Sequence, residues 1–241
     1  MATVPLGFSV SVPPSPKNSA ATPQPLPNIE QLATASIPTR FGPFKVYVFQ
    51  QVDAPKTGQS NDEHVALVLG DVSGAQGVLT RVHSECLTGE VFGSLRCDCR
   101  AQLERAQEAV TEQGAGVIVY LRQEGRGIGL ANKIRAYALQ DQGADTVDAN
   151  ELLHLPIDAR DYGVAAAILK HLGVNSVRLM TNNPVKVAGL KALGVEVTER
   201  VGLVIPANEH SSSYLQTKRH KLQHDIPSSA HGSPSPAPIK K

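Results

Sequence analysis

Every cysteine of the chain falls within one stretch, "CLTGEVFGSLRCDC", at Cys86, Cys97 and Cys99. Cys97 and Cys99 are separated by one residue, and the turn between them and Cys86 contains Gly89 and Gly93. If Cys86 leaves the end of a strand and the later pair opens the next helix, that turn brings three thiolates to one point. Three sulfur ligands without a fourth cysteine suit a Zn²⁺ ion that keeps one position open for water, as catalysis needs and a closed structural site avoids. Two other readings fit the same residues. A cysteine outside any disulfide also packs as a small core hydrophobe, and His83 could complete a structural zinc knuckle that binds RNA. An aromatic content of 4%, no tryptophan and the lack of a basic stripe count against the knuckle.

A second stretch, "EGRGIG" at 124–129, is glycine-rich but has neither the Lys-Ser/Thr of a P-loop nor the spacing of a dinucleotide fingerprint. Its glycines could let backbone N–H groups close on a phosphate at a helix N-terminus, with Arg126 adding a forked donor. Equally, the segment could be no more than the entry loop of a helix.

The elements that must position these residues follow from periodicity. Short β-branched runs at 44–50, 64–71 and 78–84 read as consecutive strands separated by polar turns. Leu103, Ala106, Ala109 and Val110 fall at helical spacing over 98–113, after which "GAG" releases the chain into the buried strand "VIVYL". Helices at 130–142 and 161–172, a strand at 176–181, a short helix after Asn183-Pro184 and a strand at 195–200 complete the pattern. The expected class is α/β (α+β): a mixed sheet, antiparallel in its N-terminal half, with βα units in its C-terminal half.

Seven prolines lie in the first 27 residues and four in the last 15, so 1–36 and 227–241 read as disordered Pro/Ser-rich tails around a single folded domain at 37–226. The first arginine is Arg40, which does not fit an Arg-rich transit peptide. A balance of 23 basic against 22 acidic residues, net charge +1, predicts no attraction to nucleic acid or anionic lipid. No apolar run reaches the roughly 18 residues that would span a bilayer. An odd, clustered set of cysteines points to a reducing cytoplasm rather than a disulfide framework.

The segments "RVHSECLTGEVFGSLRCDC" (81–99), "YLRQEGRGIGLANKIRAYALQDQGADTVDAN" (120–150), "LPIDARDYG" (155–163) and "LMTNNPVK" (179–186), in this order, resemble GTP cyclohydrolase II. The resemblance runs from about residue 38 to about residue 224. It implies hydrolysis of GTP to 2,5-diamino-6-ribosylamino-4(3H)-pyrimidinone 5′-phosphate, formate and pyrophosphate, at the head of riboflavin biosynthesis. It also implies Cys86, Cys97 and Cys99 as Zn²⁺ ligands, Mg²⁺ on the GTP phosphates, and a homodimer. Some forty residues ahead of the match are too few for the synthase domain to which many members are fused, so a monofunctional form is expected.

By the same resemblance, Arg81, Val82, His83, Ser84, Glu85 and Gln102 contact the nucleotide, as do Glu124, Gly125, Arg126, Thr146, Thr181 and Lys186. A carboxylate or amide such as Glu85 or Gln102 suits the N–H donors of guanine. Tyr137 lies near the ring-opening centre, and Asp158 and Arg160 are the family's proton acceptor and nucleophile, the assignment the resemblance favours. A guanidinium with a pKa above ~12 is a poor nucleophile, so the rival reading of Arg160 is a clamp on the α-phosphate. Three thiolates donate more charge than three imidazoles, so the zinc water should be a weaker acid than in a histidine site, and neighbouring proton-transfer groups should matter.

Overall fold

The computed structural model describes residues 25–52, 63–143, 145–156, 158–203 and 205, with only the backbone of 146 and 147. Residues 1–24 of the expected N-terminal tail and the whole tail at 227–241 lie outside the described residues. Seven strands form one mixed sheet in the order β1-β2-β3-β5-β4-β6-β7. β1 (Ile29–Thr39), β2 (Gly42–Gln51) and β3 (Glu63–Leu69) pair antiparallel, and β3 joins β5 (Gly116–Leu121) in the same sense. β4 (Val78–Ser84) pairs in parallel with β5 and with β6 (Val177–Met180), and β6 pairs in parallel with β7 (Val197–Val201).

Two expectations change. The strand at 78–84 does not continue the antiparallel meander, because β5 is inserted between it and β3. Its residues 78–83 are all buried, as in a parallel strand covered on both faces. Residues 29–36, assigned to the tail, form most of β1. Nearly all side chains of β1 are exposed, so the strand is held chiefly by its ladder to β2 and carries little apolar signature.

The helices follow the predicted periodicity. α1 (Leu87–Glu90) is a single turn, followed by α2 (Cys99–Gln113), which ends at Gly114 in the left-handed conformation that glycine tolerates. α3 (Leu130–Asp141) comes next, then α4 (Thr146–Leu152), a short helix that the pattern did not signal, and α5 (Gly163–His171). α6 (Pro184–Ala192) starts with Pro184 in its first turn and with the Asn183 side chain accepting the Val185 N–H at 2.9 Å. α2 packs Ala106 and Val110 against Leu79, Ile118 and Phe44 on one face of the sheet. On the other face α5, buried from Gly163 through Leu169, packs against Val82, Val119 and Leu121.

The chain leaves β4 for β5 on one side and then crosses to β6 on the other. Loops therefore diverge from the carboxyl end of β4, which is where open α/β sheets form ligand crevices. Among the described residues no helix is long and apolar enough to cross a membrane.

Candidate functional site

Cys86 lies two residues beyond β4, at the N-cap of α1, and Cys99 is the first residue of α2. The three cysteine sulfurs all lie within 4.8 Å of one another, and those of Cys86 and Cys97 are 3.6 Å apart. That separation is far too long for the ~2.05 Å of a disulfide. It is close to the ~3.8 Å edge of a tetrahedron whose metal–sulfur bonds are ~2.3 Å, so the donor set fits Zn²⁺. Gly89 keeps the cradle open, since a Cβ there would sit 2.8 Å from the Cys97 sulfur and 3.3 Å from that of Cys86. Hydrogen bonds from the Cys97 and Cys99 thiols, and then the charge of Lys133, hold the Cys86 thiol well below its ordinary value. Sharing with Cys86 pushes Cys97 up. Among the described residues these sulfurs alone form a metal-capable cluster, and His83 is engaged elsewhere, which removes the fourth ligand of a zinc knuckle.

Strand alternation aims Arg81 and His83 of β4 toward the α2 side of the sheet. Arg81 is buried, donating to the Met180 carbonyl (2.9 Å) and to Gln102 Oε1 (2.6 Å), and burial lowers its pKa to about 10. Gln102 in turn donates to Asp98 Oδ2 (2.6 Å), so its amide is held in one orientation. His83 Nε2 lies 2.8 Å from Glu90 Oε1, the Tyr120 hydroxyl donates to Glu90 Oε2 at 2.5 Å, and the two rings stack. Burial lowers the pKa of His83 and raises that of Tyr120. The Glu85 carboxylate accepts from Arg122 Nε at 2.9 Å. Val82 points the other way into the core, and its carbonyl accepts from Lys186 Nζ at 2.8 Å.

The "EGRG" segment forms a 3₁₀ turn at Glu124–Gly127 in which Gly125 and Arg126 adopt left-handed φ values of 62° and 60°. Its Gly125, Ile128 and Gly129 amides are satisfied inside the loop, by Glu124 Oε1 and by the carbonyls of Gly125 and Glu124. What the turn does hold is the next segment: the Ala159 N–H donates to the Arg126 carbonyl at 3.0 Å. Gly127 lies so close that a Cβ would come 2.8 Å from the Ala159 carbonyl oxygen. This contact places Asp158 and Arg160 beside the turn. Arg160 grips Asp158 with its backbone N–H (3.1 Å), with Nε (2.8 Å) and with Nη2. Burial opposes the charge on Asp158, but these contacts hold its carboxyl below the ordinary value of 3.8.

Cys86, Cys97, Cys99, Ser84, Glu85 and Tyr137 line one cleft, together with Gln102, Thr181 and the turn at Glu124–Gly125. Five cationic side chains, Arg81, Arg126, Lys133, Arg160 and Lys186, line it against two carboxylates, Glu85 and Glu124, which favours an anionic ligand. Asp158 stands behind Arg160, and the side chain of Thr146 lies outside the described residues. Tyr137 is flanked by two cations, the Arg96 guanidinium 4.9 Å and the Lys133 ammonium 5.8 Å from its ring centre. Sequence reasoning missed Lys133, Asn150, Asn182 and Asn183 among the lining residues. Lys133 was within reach of it, being four residues before Tyr137 and so on the same face of the helix.

Comparison with known proteins shows the family to which the chain is similar. The profile described as GTP cyclohydrolase II matches residues 30–202. GTP cyclohydrolase-2 of Acinetobacter baumannii strain AYE is 55% identical over 197 residues, 81% of this chain and 96% of that one. The riboflavin biosynthesis protein RibBA of Synechocystis is 52% identical over 198 residues, 81% of this chain and 34% of that one. RibBA of Bacillus cereus is 55% identical over 192 residues, again 80% of this chain and 47% of the relative. The chain thus spans nearly all of the first relative and half or less of the other two.

Proposed function

The chain belongs to the GTP cyclohydrolase II family, and from that premise we propose that it hydrolyses GTP to 2,5-diamino-6-ribosylamino-4(3H)-pyrimidinone 5′-phosphate, formate and pyrophosphate, the first committed step of riboflavin biosynthesis. The observation that carries the reading is a three-sulfur cradle inside a cation-lined cleft at the carboxyl end of β4. Zn²⁺ held by Cys86, Cys97 and Cys99 would supply Lewis acidity and lower the pKa of water toward ~7.

The chain's own side chains then have separable tasks. Glu85, steadied by Arg122, and Gln102, steadied between Arg81 and Asp98, present fixed polar groups to the guanine edge. Tyr137 borders the sulfur cradle through Lys133. Arg126 and Arg160 face the phosphates as forked donors. Mg²⁺ would arrive on the phosphate oxygens, since both carboxylates lining the cleft are engaged by Arg122 and Lys133. Of the two readings of Arg160, the grip on an ionised Asp158 supports the phosphate clamp, because a guanidinium in that pair keeps its proton. The reading extends to a homodimer in a reducing cytoplasm, where three thiolates stay reduced.

Mass spectrometry of the product made from GTP, with and without a chelator, tests this reading. The pyrimidinone monophosphate with one formate and one pyrophosphate per GTP is expected, and the chelator should stop formate release. A product that retains the formyl group would make the protein a partial hydrolase. Binding of GTP without turnover would make it a nucleotide-sensing module.

A further inference from the structure

Lys133 of α3 is 8% exposed and Glu124 is 6% exposed. The Lys133 ammonium donates to the Cys86 sulfur at 3.1 Å and to Glu124 Oε1 at 2.8 Å. Glu124 Oε1 also accepts the Gly125 N–H, and its Oε2 accepts the Leu87 N–H, both at 2.7 Å. Leu87 is the first residue of α1 and follows Cys86 directly. The pair therefore closes a loop of contacts from the Cys86 sulfur through Lys133 and Glu124 to the amide one residue beyond the same cysteine.

We propose that Lys133, anchored by Glu124, is a positioning residue of the metal cradle: it fixes the Cys86 sulfur through an N–H···S bond. The bond places a buried ammonium directly against one sulfur of the cradle, that of Cys86. Partners standing behind a metal ligand commonly set metal affinity by ~10–100-fold when removed. Methionine at 133 keeps the stem but leaves the Cys86 sulfur and Glu124 without their shared donor, whereas arginine can serve both.

The inference rests on the reading of the three cysteines as a metal site, and zinc uptake by the wild-type protein tests that reading separately. Chelator competition with Zn²⁺ should show Lys133→Met binding ~10–100-fold more weakly than wild type, with Lys133→Arg recovering most of the loss. With Co²⁺ in the site, the sulfur-to-metal charge-transfer band should move to longer wavelength in Lys133→Met, because the sulfur has lost its hydrogen bond, and return in Lys133→Arg. A purely structural lysine would lower the melting temperature and leave that band in place. Should Lys133→Met fail to fold, Glu124→Gln carries the test, with a smaller shift in the same direction. Zinc uptake by wild type together with unchanged affinity and an unchanged cobalt band in the variants overturns the role of Lys133. Failure of wild type to take up zinc overturns the metal reading itself.

Discussion

Arg160 and Asp158 are two residues apart and hold each other by three contacts, so neither can be assigned a role alone. A clamp that presents a planar fork to phosphate loses geometry but not charge in Arg160→Lys. Loss of pyrophosphate release by ~10²–10³ is expected, with residual turnover and no protein-bound label from α-labelled GTP in either protein. Covalent label on wild type that Arg160→Lys abolishes would reinstate the nucleophile. The lowered pKa of Asp158 sets a sign for stability. A depressed carboxylate stabilises the fold above its unfolded value near 3.8 and loses that contribution as pH falls through the folded value. The melting-temperature advantage of wild type over Asp158→Asn should hold at neutral pH and shrink below pH ~4. For the cysteines, Cys97→Ser should bind less than one zinc per chain by metal analysis and lose formate release, since a serine hydroxyl is a poor ligand at neutral pH. Normal formate output from that variant would show the cradle to be misread.

At the scale of elements, the "EGRG" turn has more to do with its neighbour than with phosphate. Gly127 has φ +88° and meets the Ala159 carbonyl where a Cβ would collide. Gly127→Ala should push the 158–160 segment off the turn, lower pyrophosphate release tenfold or more, cost about 1–3 kcal/mol of stability and leave zinc content at wild-type level. Unchanged turnover would show that the segment finds its place without the turn. The sequence offered two uses for these glycines, and neither included this contact, because a tertiary approach between residues 127 and 159 has no local pattern. The sulfur cradle, by contrast, was readable: Cys86 at a strand end and Cys99 at a helix start depend only on local period and turn chemistry. The parallel placement of β4 was not, because a continuous buried run fits a central strand of either sense, and its neighbour β5 arrives some thirty residues later.

Over the whole molecule, the hidden part was the first strand. Residues 29–39 have mostly exposed side chains, with Leu26 and Ile29 partly buried against the core, so their pattern resembled the Pro-rich tail ahead of them. The ladder to β2 contributes about 0.5–1.5 kcal/mol net per hydrogen bond, while ordering each residue costs about 1–2 kcal/mol, so the two nearly cancel. The main consequence of β1 is then to cover β2, whose Phe44 and Phe49 pack on opposite faces of the sheet. Removing residues 1–24 should leave melting temperature and turnover unchanged, because their Pro-, Ser- and Ala-rich composition offers little apolar surface. Removing residues 1–39 should lower the melting temperature modestly but make the protein aggregate as its concentration rises, since the bare edge of β2 can pair with another chain. Light scattering and thermal melts of the two truncations side by side test both statements. A shorter truncation that loses activity would mean that residues 1–24 dock on the core, and a longer one as monodisperse as wild type would mean that β1 does not protect the sheet edge.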